Sequence, residues 1–261
     1  MRLLKQIRFF IFIVSLSIFF CLQLILPRRK FMKSRWQYSL NNLALLSLNN
    51  LMLILIVIIP LKAAIFSEDN NMGLLYLLEL SPIVSSVVAI TILDVTIYFQ
   101  HVLFHKIDFL WKLHSVHHMD PMLDSTTGFR FHPLEILISN FIKVALILLI
   151  GARPIDVLIF EIILSTTAIF NHSNLKINSK LEKILRLFLI TPDLHLIHHS
   201  TTRSEMNSNY GFSVCWWDRI FKTFTRNPKL DYPVMILGIR NTPKPKYFFI
   251  PYIYIFPFKK N

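Results

Sequence analysis

Long apolar segments restrict this chain more than any other feature. Residues 9–26, about 43–66, about 82–104, 134–150 and 155–171 are almost wholly apolar. About 20 helical residues cross a bilayer core of ~30 Å, so runs of this length read as transmembrane helices. The last two form a helical hairpin broken at Gly151-Ala152-Arg153-Pro154. Hydrophobic residues make up 54% of the chain and mean hydropathy is +0.51, too apolar for an ordinary soluble domain. The expected fold class is all-α: a multi-pass transmembrane helical bundle with a polar helical cap on one side.

Residues 9–26 compete with a signal peptide reading. No small-residue cleavage site follows them, and Pro27-Arg28-Arg29-Lys30 does, so a retained helix is expected. Pro60 is expected to kink the second run, which neighbouring helices tolerate. Arg28, Arg29, Lys30, Lys33 and Arg35 place the segment 27–38 in the cytoplasm by the positive-inside rule. Counting spans from there puts Ser67-Glu68-Asp69-Asn70-Asn71 outside, has the third run deliver its histidines to the cytoplasmic side, and leaves residues 172–261 in the cytoplasm. Arg2, Lys5 and Arg8 conflict with this, because the N-terminus falls outside if residues 9–26 span. A first helix lying in the interface is the alternative. A bacterial inner membrane is the expected host, or the endoplasmic reticulum in a eukaryote.

Net charge is +13, from 28 Lys and Arg against 15 Asp and Glu. The cations flank apolar segments, as membrane topology and anionic lipid require, and form no stripe with spaced aromatics. Nucleic-acid binding is not expected. The two cysteines, Cys21 and Cys215, form no Cys-x-x-Cys, which argues against an iron–sulfur cluster or zinc ribbon. The tail from Tyr247 is aromatic and broken by proline, and is expected at the membrane interface. The divisions expected are 1–80 for N-terminal membrane helices, 81–225 for the catalytic part and 226–261 for the tail.

All ten histidines fall between residues 101 and 199. His101 and His105 are four apart. His114, His117 and His118 form a His-x-x-His-His triplet, repeated by His195, His198 and His199. Positions i, i+3 and i+4 share a helix face, so each cluster is expected to aim its imidazoles at one point. Asp108-Phe109-Leu110-Trp111 reads as a helix start before the first triplet. Thr191-Pro192-Asp193, with Thr at the N-cap and Pro at N1, reads as one before the second. Burying eight imidazoles in an apolar chain without a partner is costly, which points to metal. His132 and His172 stand singly between the clusters and near helix ends, and are included as ligands.

Ten imidazoles exceed the needs of one four-coordinate zinc ion. They suit two six-coordinate metals, and imidazole alone does not select among iron, copper, zinc and nickel. Asp94 and Tyr98 lie on the helical face of His101, placed to orient imidazoles. There is no His-Glu-x-x-His, no Gly-x-Ser-x-Gly and no Gly-x-Gly-x-x-Gly after a strand. Zinc proteases, serine hydrolases and Rossmann-type nucleotide binding are thereby disfavoured.

These stretches resemble the fatty acid hydroxylase / sterol desaturase superfamily of membrane di-iron oxygenases. The resemblance rests on Asp94 to His105, Leu113 to His118, Phe129-Arg130-Phe131-His132-Pro133-Leu134-Glu135, Asn171 to Asn174 and Leu194 to Ser200. It extends through Glu205, Asn207, Asn209-Tyr210-Gly211 and Trp217 to Thr223, covering about residues 85–224. The resemblance implies two iron ions held by the histidines, and dioxygen as co-substrate. It implies electrons from NAD(P)H through a separate reductase or b-type cytochrome, and a lipid substrate whose C–H bond is hydroxylated or desaturated. Sterol, fatty acyl and related lipids share these motifs, which do not distinguish among them. Helices 82–104 and 134–171 are expected to wall the substrate cleft. Asn209, Tyr210 and Asp218 are expected beside the ligands or in a structural role. A membrane metal transporter and an inactive family member are the competing readings. The histidines at helix ends on one side argue against the first, and the complete histidine set against the second.

Overall fold

The computed structural model describes residues 2–31, 34–53, 56, 58–239 and 249–259. Among them there is no strand, only three isolated bridges. The helices in order are α1 Arg2–Ile25, α2 Arg35–Met52, α3 Ile59–Asp69, α4 Leu74–Leu77, α5 Pro82–Lys106, α6 Asp108–His118 and α7 Pro133–Ile150. They continue with α8 Pro154–His172, α9 Ser179–Leu185, α10 Pro192–His198, α11 Arg203–Met206, α12 Trp216–Ile220 and α13 Tyr252–Ile255. Among the described residues four helices are long and apolar enough to cross a membrane: Gln6–Ile25 within α1, then α5, α7 and α8.

Local chemistry sets the ends of these helices. Proline stands in the first turn of α5, α7, α8 and α10, where its missing N–H is not needed. Gly151 ends α7 in the left-handed conformation at φ 73°. A Cβ there would fall 2.6 Å from the Met72 carbonyl oxygen, so the α7–α8 turn also needs glycine for its close approach to the 72–73 backbone. Arg153 and Asp156 cap α8, and Arg153 also donates to the Pro82 carbonyl at 2.8 Å. The starts of α5 and α8 therefore lie together, at the end of the bundle away from the histidines.

The second apolar run departs from expectation. Instead of one kinked span over 43–66, the chain forms α2 and α3 on either side of residues 53–58: α3 is too short to span, and α2, as long as α7, is too polar. Asn42, Asn49 and Ser39 make α2 polar on the side that meets the loop between α6 and α7. Asn42 donates to Asp120 and Asn49 to the Phe131 carbonyl, at 3.0 and 2.8 Å. Helix α3 instead puts Ala63 and Ala64 into the apolar core at the far end, with Ile147, Ile150, Val157 and Phe160. The pair still carries the chain from the histidine end to the opposite end.

Helix α1 runs parallel to α8. Arg8 pairs with Glu161, Ser15 meets Thr166 at 3.3 Å and Pro27 bridges to Leu175, so partner numbers rise together. Arg8, which conflicted with the charge rule, is thus joined to a buried carboxylate that Lys143 also approaches, at 3.6 Å. Gln23, fully buried, accepts from the backbone N–H groups of Ser125 and Asn174 at 3.1 and 3.0 Å. Lipid is as apolar as leucine, so polar contacts of this kind fix the register of a helix that is otherwise mostly exposed.

The described part of the tail packs against the helices. Ile253 of α13 is fully buried against Tyr38, Val116 and Met119, and Tyr254 donates to Asn49 at 3.1 Å. Tyr247 and Phe248 lie outside the described residues.

Candidate metal centre

The helix ends bring nine imidazoles together at one end of the bundle, in two groups. His101, His105, His114, His118 and His198 form one, and His117, His172, His195 and His199 the other. Within each group the nearest ring nitrogens all lie within 4.8 Å of one another. The groups adjoin, with the rings of His118 and His199 stacked at 4.3 Å.

Neither triplet aims at a single point. Successive helical residues turn by about 100°, so i and i+4 stand about 40° apart while i+3 lies about 60° to the other side of i. His114 and His118 accordingly enter the first group and His117 the second. In the other triplet His195 and His199 share the second group and His198 crosses to the first. Each triplet joins the two groups rather than filling one.

Hydrogen bonds fix which nitrogen faces inward. His101 Nδ1 donates to the Tyr210 carbonyl, His198 Nδ1 to the Ser208 carbonyl and His172 Nδ1 to the Ala168 carbonyl, each at 2.7 Å. A carbonyl oxygen only accepts, so these rings carry their proton on Nδ1 and present a lone pair at Nε2. His101 Nε2 and His198 Nε2 nonetheless face each other at 3.1 Å. Two lone pairs at that distance form no hydrogen bond; a cation between them makes the arrangement favourable. His114 joins the same point, its Nε2 3.1 Å from that of His101 and its Nδ1 2.6 Å from Glu135 Oε1.

In the second group the Nε2 atoms of His172 and His117 are 3.0 Å apart, and those of His195 and His172 are 2.9 Å apart. Two nitrogens about 2.1 Å from one ion and at right angles stand about 3.0 Å apart, so these spacings suit neighbouring ligands of one metal. Both ring nitrogens of His105 and His118, and Nδ1 of His117, His195 and His199, are buried without a hydrogen-bond partner. Buried polar atoms are seldom left this way. The donor set therefore fits metal.

Electrostatics agrees. Burial drives the His114 imidazole down to about 3. Burial, then neighbouring histidines, pushes His117, His118, His195 and His199 well below the ordinary value. These rings are neutral at physiological pH, the form that ligates metal. Aromatic rings close the site: Phe131 stacks on His117 at 4.6 Å, and Trp111 lies 5.0 Å from His105.

A model of the fatty acid hydroxylase family matches residues 86–223, just over half of the chain. The chain belongs to the fatty acid hydroxylase family. All nine converging histidines lie inside the matched segment. It is similar to an ornithine lipid hydroxylase of Rhizobium tropici, 29% identical over 144 residues, which are 55% of this chain and 42% of that protein. It is also similar to the alkylglycerol monooxygenase of Homo sapiens, 28% identical over 145 residues, 53% of this chain and 30% of that one. The alkylglycerol monooxygenase of Caenorhabditis elegans is 25% identical over 147 residues, 54% of this chain and 27% of its own length. The chain spans less than half the length of these relatives. No solved structure matches.

The hydroxylase-family residues singled out in the sequence fall into place unevenly. His132 stands outside both groups. It precedes Pro133, which keeps it out of the helix. At the N-cap of α7 its Nδ1 accepts from Leu134 N at 3.2 Å, and its Nε2 is turned to the Tyr254 carbonyl, 3.4 Å away. Asp94 bonds no imidazole: it accepts from Trp217 Nε1 at 2.7 Å. The Tyr98 hydroxyl meets Thr223 at 2.8 Å. Tyr210 orients His101 through its carbonyl, while its ring packs 5.1 Å from His105. Asp218 accepts from the N–H groups of Tyr210 and Gly211 at 2.7 and 2.8 Å. Asn209 donates to the Leu194 and Thr225 carbonyls. Both thereby hold the loop whose Ser208 and Tyr210 carbonyls grip His198 and His101.

Two residues of the candidate site lie in the motif that carries the family resemblance but were given no role of their own in the sequence reading. Glu135 grips His114, and a carboxylate at the start of an apolar span was its available signal. Arg130 is fully buried and donates from Nε to the Val116 carbonyl at 2.9 Å, bracing α6 between His114 and His117. Its Nη1 donates to Asn42 at 2.9 Å, linking α2 to the site.

Proposed function

We propose that this protein is a membrane di-iron oxygenase that hydroxylates a lipid C–H bond with dioxygen and externally supplied electrons. The facing lone pairs of His101 and His198, inside two enclosed imidazole groups, are the observation that carries the reading. His101, His105, His114, His118 and His198 would hold one iron, and His117, His172, His195 and His199 the other. When bound, the irons supply dioxygen activation and the oxidising power for an unactivated C–H bond.

The chain's own residues do the rest. The Tyr210 and Ser208 carbonyls and Glu135 keep lone pairs turned inward. Phe131, Trp111 and the rings beside them exclude water, which governs redox potential. Helices α5 and α8 carry His101, His105 and His172 to the membrane surface and α7 brings Glu135 there, so a lipid reaches the site without leaving the bilayer. The relatives' names, ornithine lipid hydroxylase and alkylglycerol monooxygenase, favour hydroxylation over desaturation and a polar-headed lipid as substrate. Electrons come from NAD(P)H through a separate reductase or b-type cytochrome. The basic segment at Arg28-Arg29-Lys30 favours a cytoplasmic site. Imidazoles that converge on two enclosed points, rather than lining a path, support an enzyme over a transporter.

The test is lipid analysis of cells expressing the protein under 18O2, beside His198→Ala. A lipid that gains one 18O in the wild type, and at least 100-fold less in the variant, is expected. A lipid two hydrogens lighter without label would mean desaturation instead. Identical lipid profiles in wild type and variant would overturn the proposal.

A further inference from the structure

Helix α9, the turn after it and helix α12 carry large apolar side chains on the outside of the histidine-bearing end. Ile184 is 57% exposed, Phe188 52%, Trp216 46% and Ile220 61%. They form one surface: the Trp216 ring meets Phe188 at 6.2 Å, and its Nε1 donates to the Leu187 carbonyl at 2.9 Å. A surface bathed in water seldom leaves such a patch uncovered. Lys180, Lys183, Arg219 and Lys222, all exposed, border it.

The depth of this patch can be read from its anchors on α5. Trp217 Nε1 donates to Asp94 at 2.7 Å, and the Phe221 ring lies 4.8 Å from Phe99. Asp94 precedes His101 by seven residues, about 10 Å along the helix toward the far end of the bundle. Phe99 is itself 44% exposed on one of the helices of spanning length. So α12 sits beside the lipid-facing flank of a span, below the level of the histidines, and its apolar surface continues that flank.

We propose that α9 and α12 are immersed in the membrane, at the boundary of headgroups and acyl chains, with their basic residues on anionic headgroups. Interfacial segments of this composition lie in that boundary layer, and the contacts with Asp94 and Phe99 set α12 against the apolar flank of a span. Continuity with α5 and the mixture of apolar and basic side chains commit the surface to lipid rather than to a protein partner. The proposal rests on α5 spanning the membrane and is independent of the metal reading.

The experiment places a nitroxide at Ile184→Cys, Ile220→Cys or Asn227→Cys in a Cys21→Ser background. The full chain is reconstituted in vesicles of phosphatidylcholine and phosphatidylglycerol. Power saturation then compares access to oxygen with access to a water-soluble nickel chelate. Positions 184 and 220 are expected to favour oxygen severalfold, while 227, on an exposed loop, favours nickel. Wild-type protein is cross-linked in parallel to a lipid with a diazirine in its acyl chain, with adducts expected in residues 181–188 and 216–221. Nickel access at 184 and 220 equal to that at 227, or absence of adducts from both segments, overturns the proposal and leaves the patch as a protein-docking face.

Discussion

Glu135 is the side-chain carboxylate that holds a converging imidazole by its Nδ1, at 2.6 Å from His114. Partners of this kind raise ligand basicity and fix the ring, and their loss typically costs 10–100-fold in metal affinity. Glu135→Gln preserves size and removes the charge. Competition with a graded series of chelators should show metal held about 10–100-fold more weakly, with the helix content unchanged. Equal affinity in the variant would mean that the carboxylate does not act through His114. Residue identity and spacing made the nine converging histidines legible in the sequence. The division of each triplet between two groups was not, because i+3 and i+4 share a face only coarsely. His132 stands apart from both groups for a local reason: the proline after it makes it a cap. The carbonyls of Ser208, Tyr210 and Ala168 were invisible, since a backbone acceptor leaves no mark in a sequence.

At the scale of elements, apolar length predicted α5, α7 and α8 closely and failed at residues 43–66. Hydropathy registers how apolar a segment is, and not that α2 spends its asparagines on the loop after α6 while α3 packs alanines at the far end. Tight turns matter as much as the spans they join. The backbone around Gly73 and Gly151 is close enough that a Cβ on Gly73 would lie 2.2 Å from Gly151 N. Gly151 also needs positive φ, which costs other residues about 1–2 kcal/mol before any clash. Gly151→Ala is therefore expected to lower stability by about 2 kcal/mol or more, seen as a lower midpoint of thermal unfolding in detergent. An unchanged midpoint would show that the turn opens without penalty.

The whole molecule places its chemistry at one end of a helical bundle. Arg130, Asn42 and Gln23 show that the N-terminal helices, outside the matched family segment, are joined by buried hydrogen bonds to the residues around the candidate metal centre. Which side of the membrane that end faces was legible only as a charge argument, while the convergence of the helix ends on one side follows from the fold itself. The central claim is that two imidazole groups hold two separate irons. It is tested most directly by metal analysis of purified wild type beside three variants: His105→Ala/His118→Ala, His195→Ala/His199→Ala and His132→Ala. About two irons per chain are expected in the wild type, about one in each double variant, and about two in His132→Ala. A wild type without iron-group metal, or a His132→Ala protein that loses as much as the double variants, would contradict the account.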